Sequence, residues 1–284
     1  MKVSVYLPTK NRLHLLKDAV ASVLRQTYDN IELIVVNDGS TDGTREFLDN
    51  LAISDIRVSA VHHEVSLGAP KCRNEALNMA TGDFVTGIDD DDQFHPERVR
   101  LFVELREEVK SFLGDDVILY SQDELMVGTE TIGLTRKTGS AVEADLLRGN
   151  VIGNQVFARK MTFMKAGGFD EQLPAWQDLD LLLRMLANGN RAVLLDLPTY
   201  RFDVSPRQDR ISKQERLVRE AYKSVSAKRT SLRDRQTLFL QVFAPHYGHK
   251  PLVKDFYEFM AMGFWPKGLL QLMMARFGKY PNLV

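Results

Sequence analysis

Apolar and polar positions alternate in two rhythms through the N-terminal half of the chain. Val3 to Leu7 is a β-rich run closed by Pro8, after which Leu13, Leu16, Val20, Val23 and Leu24 recur at helical spacing. Ile31 to Val36 is a second buried strand, and the turn-rich Asn37-Asp38-Gly39-Ser40-Thr41-Asp42-Gly43 leads into a helix from Thr44. Arg57 to His63 gives a third strand, a helix follows over about Lys71 to Met79, and Phe84-Val85-Thr86-Gly87-Ile88 gives a fourth. Strands of nearly continuous apolar character between helices predict an α/β fold with a mostly parallel sheet covered on both faces.

Past Pro96 the alternation loosens into a helix through about Lys110, a strand from Val117 to Ser121, and a mixed stretch to about Asp203. From Ile211 the chain is mainly helical, punctuated by Pro245, Pro251, Pro266 and Pro281. The expected organisation is one α/β unit over 1–210, in two halves over about 1–95 and about 96–210. A helical extension over 211–284 follows.

Charge changes this picture only locally. Lys plus Arg number 37 against 38 Asp plus Glu in 284 residues, which gives no case for a nucleic-acid partner. Between Arg201 and Arg235, however, 11 basic residues face 5 acidic ones. The single cysteine, Cys72, excludes an internal disulfide and agrees with a reducing compartment. Met1-Lys2-Val3-Ser4-Val5 enters a strand without the charged and apolar regions of a signal peptide, and no uninterrupted apolar stretch reaches ~18 residues. A cytoplasmic location is expected.

The candidate chemistry sits at the end of the fourth strand, where Asp89, Asp90, Asp91 and Asp92 follow one another. Such a cluster repels itself strongly enough to call for a cation. Carboxylates at the carboxyl edge of an open α/β sheet suit Mg²⁺ or Mn²⁺ held against a diphosphate. After the first strand, Thr9, Asn11 and Arg12 offer donors to a base and diphosphate, or cap the helix that follows. Arg73 can reach the same ligand or form a surface ion pair.

In order, Leu7-Pro8-Thr9-Lys10-Asn11-Arg12, Val36-Asn37-Asp38-Gly39-Ser40-Thr41-Asp42, Cys72-Arg73-Asn74, Asp89 to Asp92, and Trp176-Gln177-Asp178-Leu179-Asp180 closely resemble the motifs of glycosyltransferase family 2. The resemblance covers roughly residues 3 to 204. It implies a GT-A fold, a nucleotide-sugar donor, a divalent metal and inversion at the anomeric carbon. It also implies that Asp38 reads uracil, so that the donor is a UDP-sugar bound by Pro8, Thr9, Asn11, Arg12, Asp38, Arg73, Asp89 and Asp90. Asp91 becomes the metal ligand and Asp92 a structural residue. Asp178 becomes the general base that takes the acceptor proton, since single-displacement transfer needs a carboxylate opposite the leaving diphosphate. Trp176 and Gln177 fall on the acceptor side, Trp176 either stacking on a sugar or packing internally. Asp180, two positions after Asp178 on a helix, points elsewhere and orients or caps.

Two positions depart from the family pattern. Gln177 replaces the glutamate of a Glu-Asp pair, which removes a negative charge beside Asp178. Tyr200-Arg201-Phe202-Asp203 falls where relatives carry Arg-x-His, so Asp203 stands in for a metal-binding histidine as a hard oxygen ligand. Arg201, Arg207 and Arg210 are candidate clamps on the diphosphate.

Phe256, Phe259, Met260, Met262, Phe264, Trp265, Leu269, Leu270, Leu272, Met273, Met274 and Phe277, interspersed with Lys267, Arg276 and Lys279, form an apolar tail. It suits either peripheral contact with the inner face of the cell membrane or packing on the catalytic unit or a second copy. The activity expected is transfer from a UDP-sugar to a saccharide or lipid-linked saccharide in surface polysaccharide synthesis, such as O-antigen or capsule. The rivals are a sugar nucleotidyltransferase, which expects glycine in the loop that here reads Pro8-Thr9-Lys10-Asn11-Arg12, and a non-catalytic nucleotide-sugar binding module. Gly82 and Gly87 do not make a phosphate-binding loop, because Ile88 stands where that motif needs lysine.

Overall fold

The structure is a computed structural model that describes residues 1–207 and 211–279. Its first sheet has the order β3-β2-β1-β4-β9, from β1 (Val3–Thr9), β2 (Ile31–Asn37), β3 (Val58–His62), β4 (Phe84–Gly87) and β9 (Ala158–Arg159). The first four are parallel, joined by α1 (Leu13–Leu24), α2 (Thr44–Ser54) and α3 (Ala69–Met79), and β9 runs antiparallel at the β4 edge. This is the expected βα alternation. A second sheet combines β5 (Gln93–Phe94), β6 (Ile118–Val127), β7 (Glu130–Leu134), β8 (Ser140–Ala141) and β10 (Ala192–Asp203). Mutual backbone hydrogen bonds of 2.8 Å between Leu119 and Phe157 join the two sheets.

Side-chain alternation divides the core. Val3, Val5, Leu7, Leu33 and Val35 face one layer with α1 and α4 (Arg98–Leu113), whereas Tyr6, Ile34, Val36 and Val85 face the other. That second layer holds α3 and α7 (Gln177–Leu186). It continues without a break into α8 (Glu215–Ala227), α9 (Leu232–Gln241), α10 (Val253–Ala261) and α11 (Pro266–Arg276) through Val218, Tyr222, Leu238, Phe239, Phe259 and Leu272. The short helices α5 (Glu143–Leu146) and α6 (Lys160–Lys165) complete the layer below β9.

The strand boundaries move slightly from those read in the sequence. Pro8 does not close β1, which continues to Thr9 with Pro8 opposite Val36. The ladder to β4 reaches only Tyr6, so the N–H that proline lacks falls beyond that ladder. β10 accommodates Pro198 where its register with β6 shifts on either side of that residue. The aromatic tail also packs more fully than its composition alone requires: Phe259 and Leu272 are buried, with Phe256, Trp265 and Leu269 against the same core. No helix among the described residues is long and apolar enough to cross a membrane.

One buried ion pair ties α8 to α10. Arg219 donates to both Asp255 oxygens at 2.8 and 3.0 Å, and Asp255, itself inaccessible to solvent, also accepts from Leu252 N. Arg219→Met should leave that carboxylate buried without its cation and cost about 3–5 kcal/mol in urea denaturation. A loss below ~1 kcal/mol would show that the pair contributes nothing beyond a surface contact.

Candidate active site

The carboxyl ends of β1, β2 and β4 converge, and each places one polar segment at the same sheet edge. The four aspartates after β4 survive together because each has its own partner. Asp89 accepts from Arg73 at 2.8 Å, and Asp90 accepts from Thr9 Oγ1 at 2.8 Å and Arg12 at 3.0 Å. Asp91 accepts from Arg12 at 3.3 Å and from Arg207, and Asp92 accepts from Tyr200 Oη at 2.7 Å and from the Asp203 amide at 2.8 Å. Burial raises the Asp90 carboxyl to about 6, with Arg12 pulling the other way and Asp91 adding to the rise. Burial also raises Asp91, reinforced by Asp89 and opposed by Arg207 and Arg12.

These contacts redistribute the expected roles. Asp90 accepts from Thr9 and Arg12, so its carboxylate shapes the loop after β1. Asp92 is structural, as its position suggested. Asn11 adopts φ 53° and accepts from Thr41 N at 2.8 Å, locking the β1 loop to the β2 loop, while Pro8 is buried within β1. Asp38 accepts four donors: Ser66 Oγ at 2.6 Å, Leu67 N at 2.7 Å, Gly68 N at 3.0 Å and His63 Nδ1 at 3.0 Å. Burial opposes its ionisation, but those hydrogen bonds outweigh burial and hold it well below the usual carboxylate range. In this arrangement the carboxylate has no lone pair left for a pyrimidine N3–H, and a base would have to displace one of these partners.

His63 bridges Asp38 and Glu75, the latter at 2.7 Å, a role its position at a strand end did not reveal. With Cys72 these residues also form a candidate metal-binding cluster, since one ligand-type atom from each of Asp38, His63 and Cys72 lies within 4.8 Å of the others. The mixed N, O and S donors differ from the all-oxygen set that magnesium takes. Burial pushes the Cys72 thiol up to about 12, with the Asp38 charge adding to it, so the group stays a thiol at neutral pH.

Arg73 is the hub on the other side. It lies over the Phe169 ring at 5.3 Å and donates to Asp89 and, at 2.7 Å, to Gln177 Oε1. Gln177 therefore offers Arg73 a neutral acceptor where a glutamate would neutralise it, leaving the Arg73 charge to Asp89 and the neighbouring Asp178. Asp178 retains some exposed surface, yet its Oδ1 is buried without a partner. Burial raises its carboxyl to about 6, Arg73 lowering and Asp89 raising it further. A buried, unpartnered carboxylate oxygen at a helix start is suited to take a proton from a bound hydroxyl.

Of the two readings of Trp176, the contacts follow internal packing. Its indole is 9% exposed, meets Tyr222 edge-on at 6.4 Å and donates from Nε1 to Tyr247 Oη at 2.8 Å, so it is an internal packing residue. Asp180 accepts from Arg184 and Lys228, which is the orienting role its spacing predicted. Arg207 bridges Asp91 and Asp203, the latter at 3.0 Å. Arg201 instead pairs with Glu124 at 2.9 Å, and Arg210 lies outside the described residues.

A strand-end acidic cluster, loops from β1 and β2 at the same edge and a buried carboxylate at the start of α7 define a glycosyltransferase of the GT-A class. The model of the family "Glycosyl transferase family 2" matches residues 4–161, and the chain belongs to that family. It is 37% identical over 188 residues to Escherichia coli (strain K12) WcaA, a glycosyl transferase named for colanic acid biosynthesis, covering 65% of this chain and 66% of that one. It is 41% identical over 90 residues to the Escherichia coli UDP-Glc:alpha-D-GlcNAc-diphosphoundecaprenol beta-1,3-glucosyltransferase WfgD, covering 32% of this chain and 35% of that protein. The chain thus spans just under two thirds of WcaA and about a third of WfgD. The fold matches S. aureus TarS 1-349 in complex with UDP-GlcNAc with a TM-score of 0.69 at 18% identity, over 98% of this chain and 88% of that one.

The raised Asp178 carboxyl has a stability consequence. A carboxyl near 6 when folded and ~3.9 when unfolded binds its proton more tightly in the folded state, so its charged form penalises folding once pH rises through about 6. Asp178→Asn should therefore stabilise the fold by about 1–2 kcal/mol at about pH 7.5 and leave it unchanged near pH 4. Denaturation curves at the two pH values check this; a variant less stable at the higher pH would show that Asp178 is held ionised by its neighbours.

Proposed function

We propose that the chain is a metal-dependent inverting transferase that moves a sugar from a UDP-sugar to a saccharide or lipid-linked saccharide of a surface polysaccharide. The observation that carries the reading is the buried, unpartnered Asp178 oxygen, set across Arg73 from the acidic cluster. Support for the donor comes from WfgD, whose name specifies UDP-Glc and a diphosphoundecaprenol acceptor, and from the TarS complex with UDP-GlcNAc. We assign donor binding to residues 1–95 and acceptor binding to 96–210, with 211–284 as a helical extension.

In this reading Asp178 accepts the proton of the attacking hydroxyl. Arg12 and Arg73 lie at the cluster to face the diphosphate, and Thr9, Asn11 and Asp38 fix the loops around the base. Asp91 and Asp203 would hold Mg²⁺ or Mn²⁺. They fit it: both offer hard oxygens, and a protein cation, Arg207, already bridges them, which is the charge demand that a divalent ion meets. When bound, the ion supplies charge stabilisation on the departing diphosphate. A nucleotidyltransferase is less well supported, because the β1 loop has no glycine-rich phosphate cradle and places Asn11 at the left-handed position instead.

The extension supports peripheral contact with the inner face of an anionic membrane. Tyr257 and Phe277, 74 and 75% exposed, line an apolar groove of ≈ 470 Å³ together with Arg276, and Phe264 and Leu270 are exposed on the same extension, whose sequence also carries Lys254 and Lys267. Aromatic side chains beside basic ones suit the headgroup boundary of a bilayer.

Calorimetric titration should show UDP binding that needs Mn²⁺ and is lost in Asp91→Ala. No binding of UDP, GDP, TDP or CDP to folded protein would instead favour a module without this donor site. For the surface, sedimentation with vesicles containing anionic phospholipid should recover the wild type and lose the Tyr257→Ser, Phe264→Ser, Phe277→Ser combination. Equal recovery of both would remove the membrane role, and a concentration-dependent dimer broken by the same changes would assign the face to a second copy.

A further inference from the structure

The segment that carries Asp178 is held in place from outside the region matched by the family model. Trp176, the residue before α7, has φ 59° and ψ 22°, a left-handed conformation that a bulky side chain adopts only under external constraint. The constraint comes from the helical extension. The Trp176 indole donates to Tyr247 Oη at 2.8 Å and packs edge-on against Tyr222 of α8. Tyr247 is itself stacked on His249 at 5.6 Å. One turn further along, Lys228 Nζ lies 2.7 Å from Asp170 Oδ2 and 2.7 Å from Asp180 Oδ1, joining the loop before α7 to its first turn. Asp180 is 1% exposed and takes its second cation from Arg184 at 2.7 Å, so Lys228, reaching in from the surface, supplies one of the two cations of a buried carboxylate. The first intrahelical bond of α7, from Asp180 N to Trp176 O at 2.8 Å, spans Asp178.

We propose that Tyr247 and Lys228 are positioning residues for the Asp178 carboxylate. Tyr247 keeps Trp176 in its left-handed conformation, Lys228 pins the first turn of α7, and together they set the direction in which Asp178 meets the acceptor. The inference rests on the reading of Asp178 as the base. It makes the extension part of the catalytic scaffold in addition to any surface it presents. Without the Tyr247 hydroxyl, the indole N–H is left buried without an acceptor, and the backbone before Gln177 can relax toward an ordinary conformation. A displacement of about 1 Å at a reacting group is enough to cost on the order of 10²-fold in rate.

The test uses the full chain with Tyr247→Phe, Lys228→Met and Asp178→Asn, and Leu238→Ala as a destabilised control in the buried face of α9. Turnover is read as UDP formed with Mn²⁺ from UDP-glucose or UDP-N-acetylglucosamine, whichever the wild type consumes faster. Amide hydrogen exchange of residues 174–180 is read in parallel and requires no substrate. Tyr247→Phe and Lys228→Met should each lower kcat by about ten-fold or more, with the donor KM changed less than about two-fold, and speed exchange of 174–180. Leu238→Ala should alter neither kcat nor that exchange at a temperature where it is folded. Wild-type kcat and exchange in both positioning variants, with Asp178→Asn inactive, would overturn the positioning role and leave the base in place. An active Asp178→Asn would overturn the base assignment and this inference with it. If neither sugar nucleotide is consumed, unchanged exchange in both variants overturns the positioning role and faster exchange confined to 174–180 supports it.

Discussion

Four adjacent carboxylates at the end of β4 set the terms for the rest of the molecule. At about 5 Å and an effective dielectric of about 20, each like-charge pair costs roughly 3 kcal/mol, a large fraction of a domain's net stability. The fold answers with donors brought from separate elements: Arg12 and Thr9 from the β1 end, Arg73 from α3, Tyr200 from β10 and Arg207 after it. The parallel sheet is what delivers them, because its strands end together at one edge. The cluster is therefore a concentration of negative charge met by protein donors, among them the guanidinium groups of Arg12, Arg73 and Arg207. Such a site can exchange protein cations for a metal and present the released guanidinium groups to a diphosphate.

The same economy of charge explains Gln177. A glutamate there would compete with Asp89 and Asp178 for Arg73, whereas the glutamine carbonyl accepts one Arg73 N–H without neutralising it. Burial raises the Asp178 carboxyl while Arg73 lowers it, and the balance leaves it near 6, close to neutral pH. The helical extension closes this side of the site. It shares one continuous core with the sheet face that carries Tyr6 and Val36, so the start of α7 lies between two packed layers.

Much of this was legible in the sequence because it rests on local pattern. The βα alternation follows from apolar periodicity, and the motif order points Thr9, Arg12, Asp38, Arg73 and Asp89 to Asp92 toward one sheet edge. What escaped was partnership over long separations. Nothing near His63 announces that it bridges Asp38 and Glu75, and nothing near Trp176 announces Tyr247, 71 residues away. The sequence around Trp176 fits a sugar platform and an internal packing residue equally, and only the hydrogen bond into the extension separates them. Gly68, at φ 92° ahead of Pro70, turns the chain where Leu67 and Gly68 donate to Asp38.

In the proposed single displacement, Asp178 deprotonates the attacking hydroxyl on the face opposite the diphosphate. The most direct measurement is the proton NMR spectrum of the first product formed from an α-linked UDP-sugar and Mn²⁺, with either a saccharide or water as acceptor. Inversion gives a product whose anomeric proton has the large coupling of a β-linkage, before any mutarotation. An α-configured initial product would contradict it, because retention requires a second displacement that a lone base cannot provide.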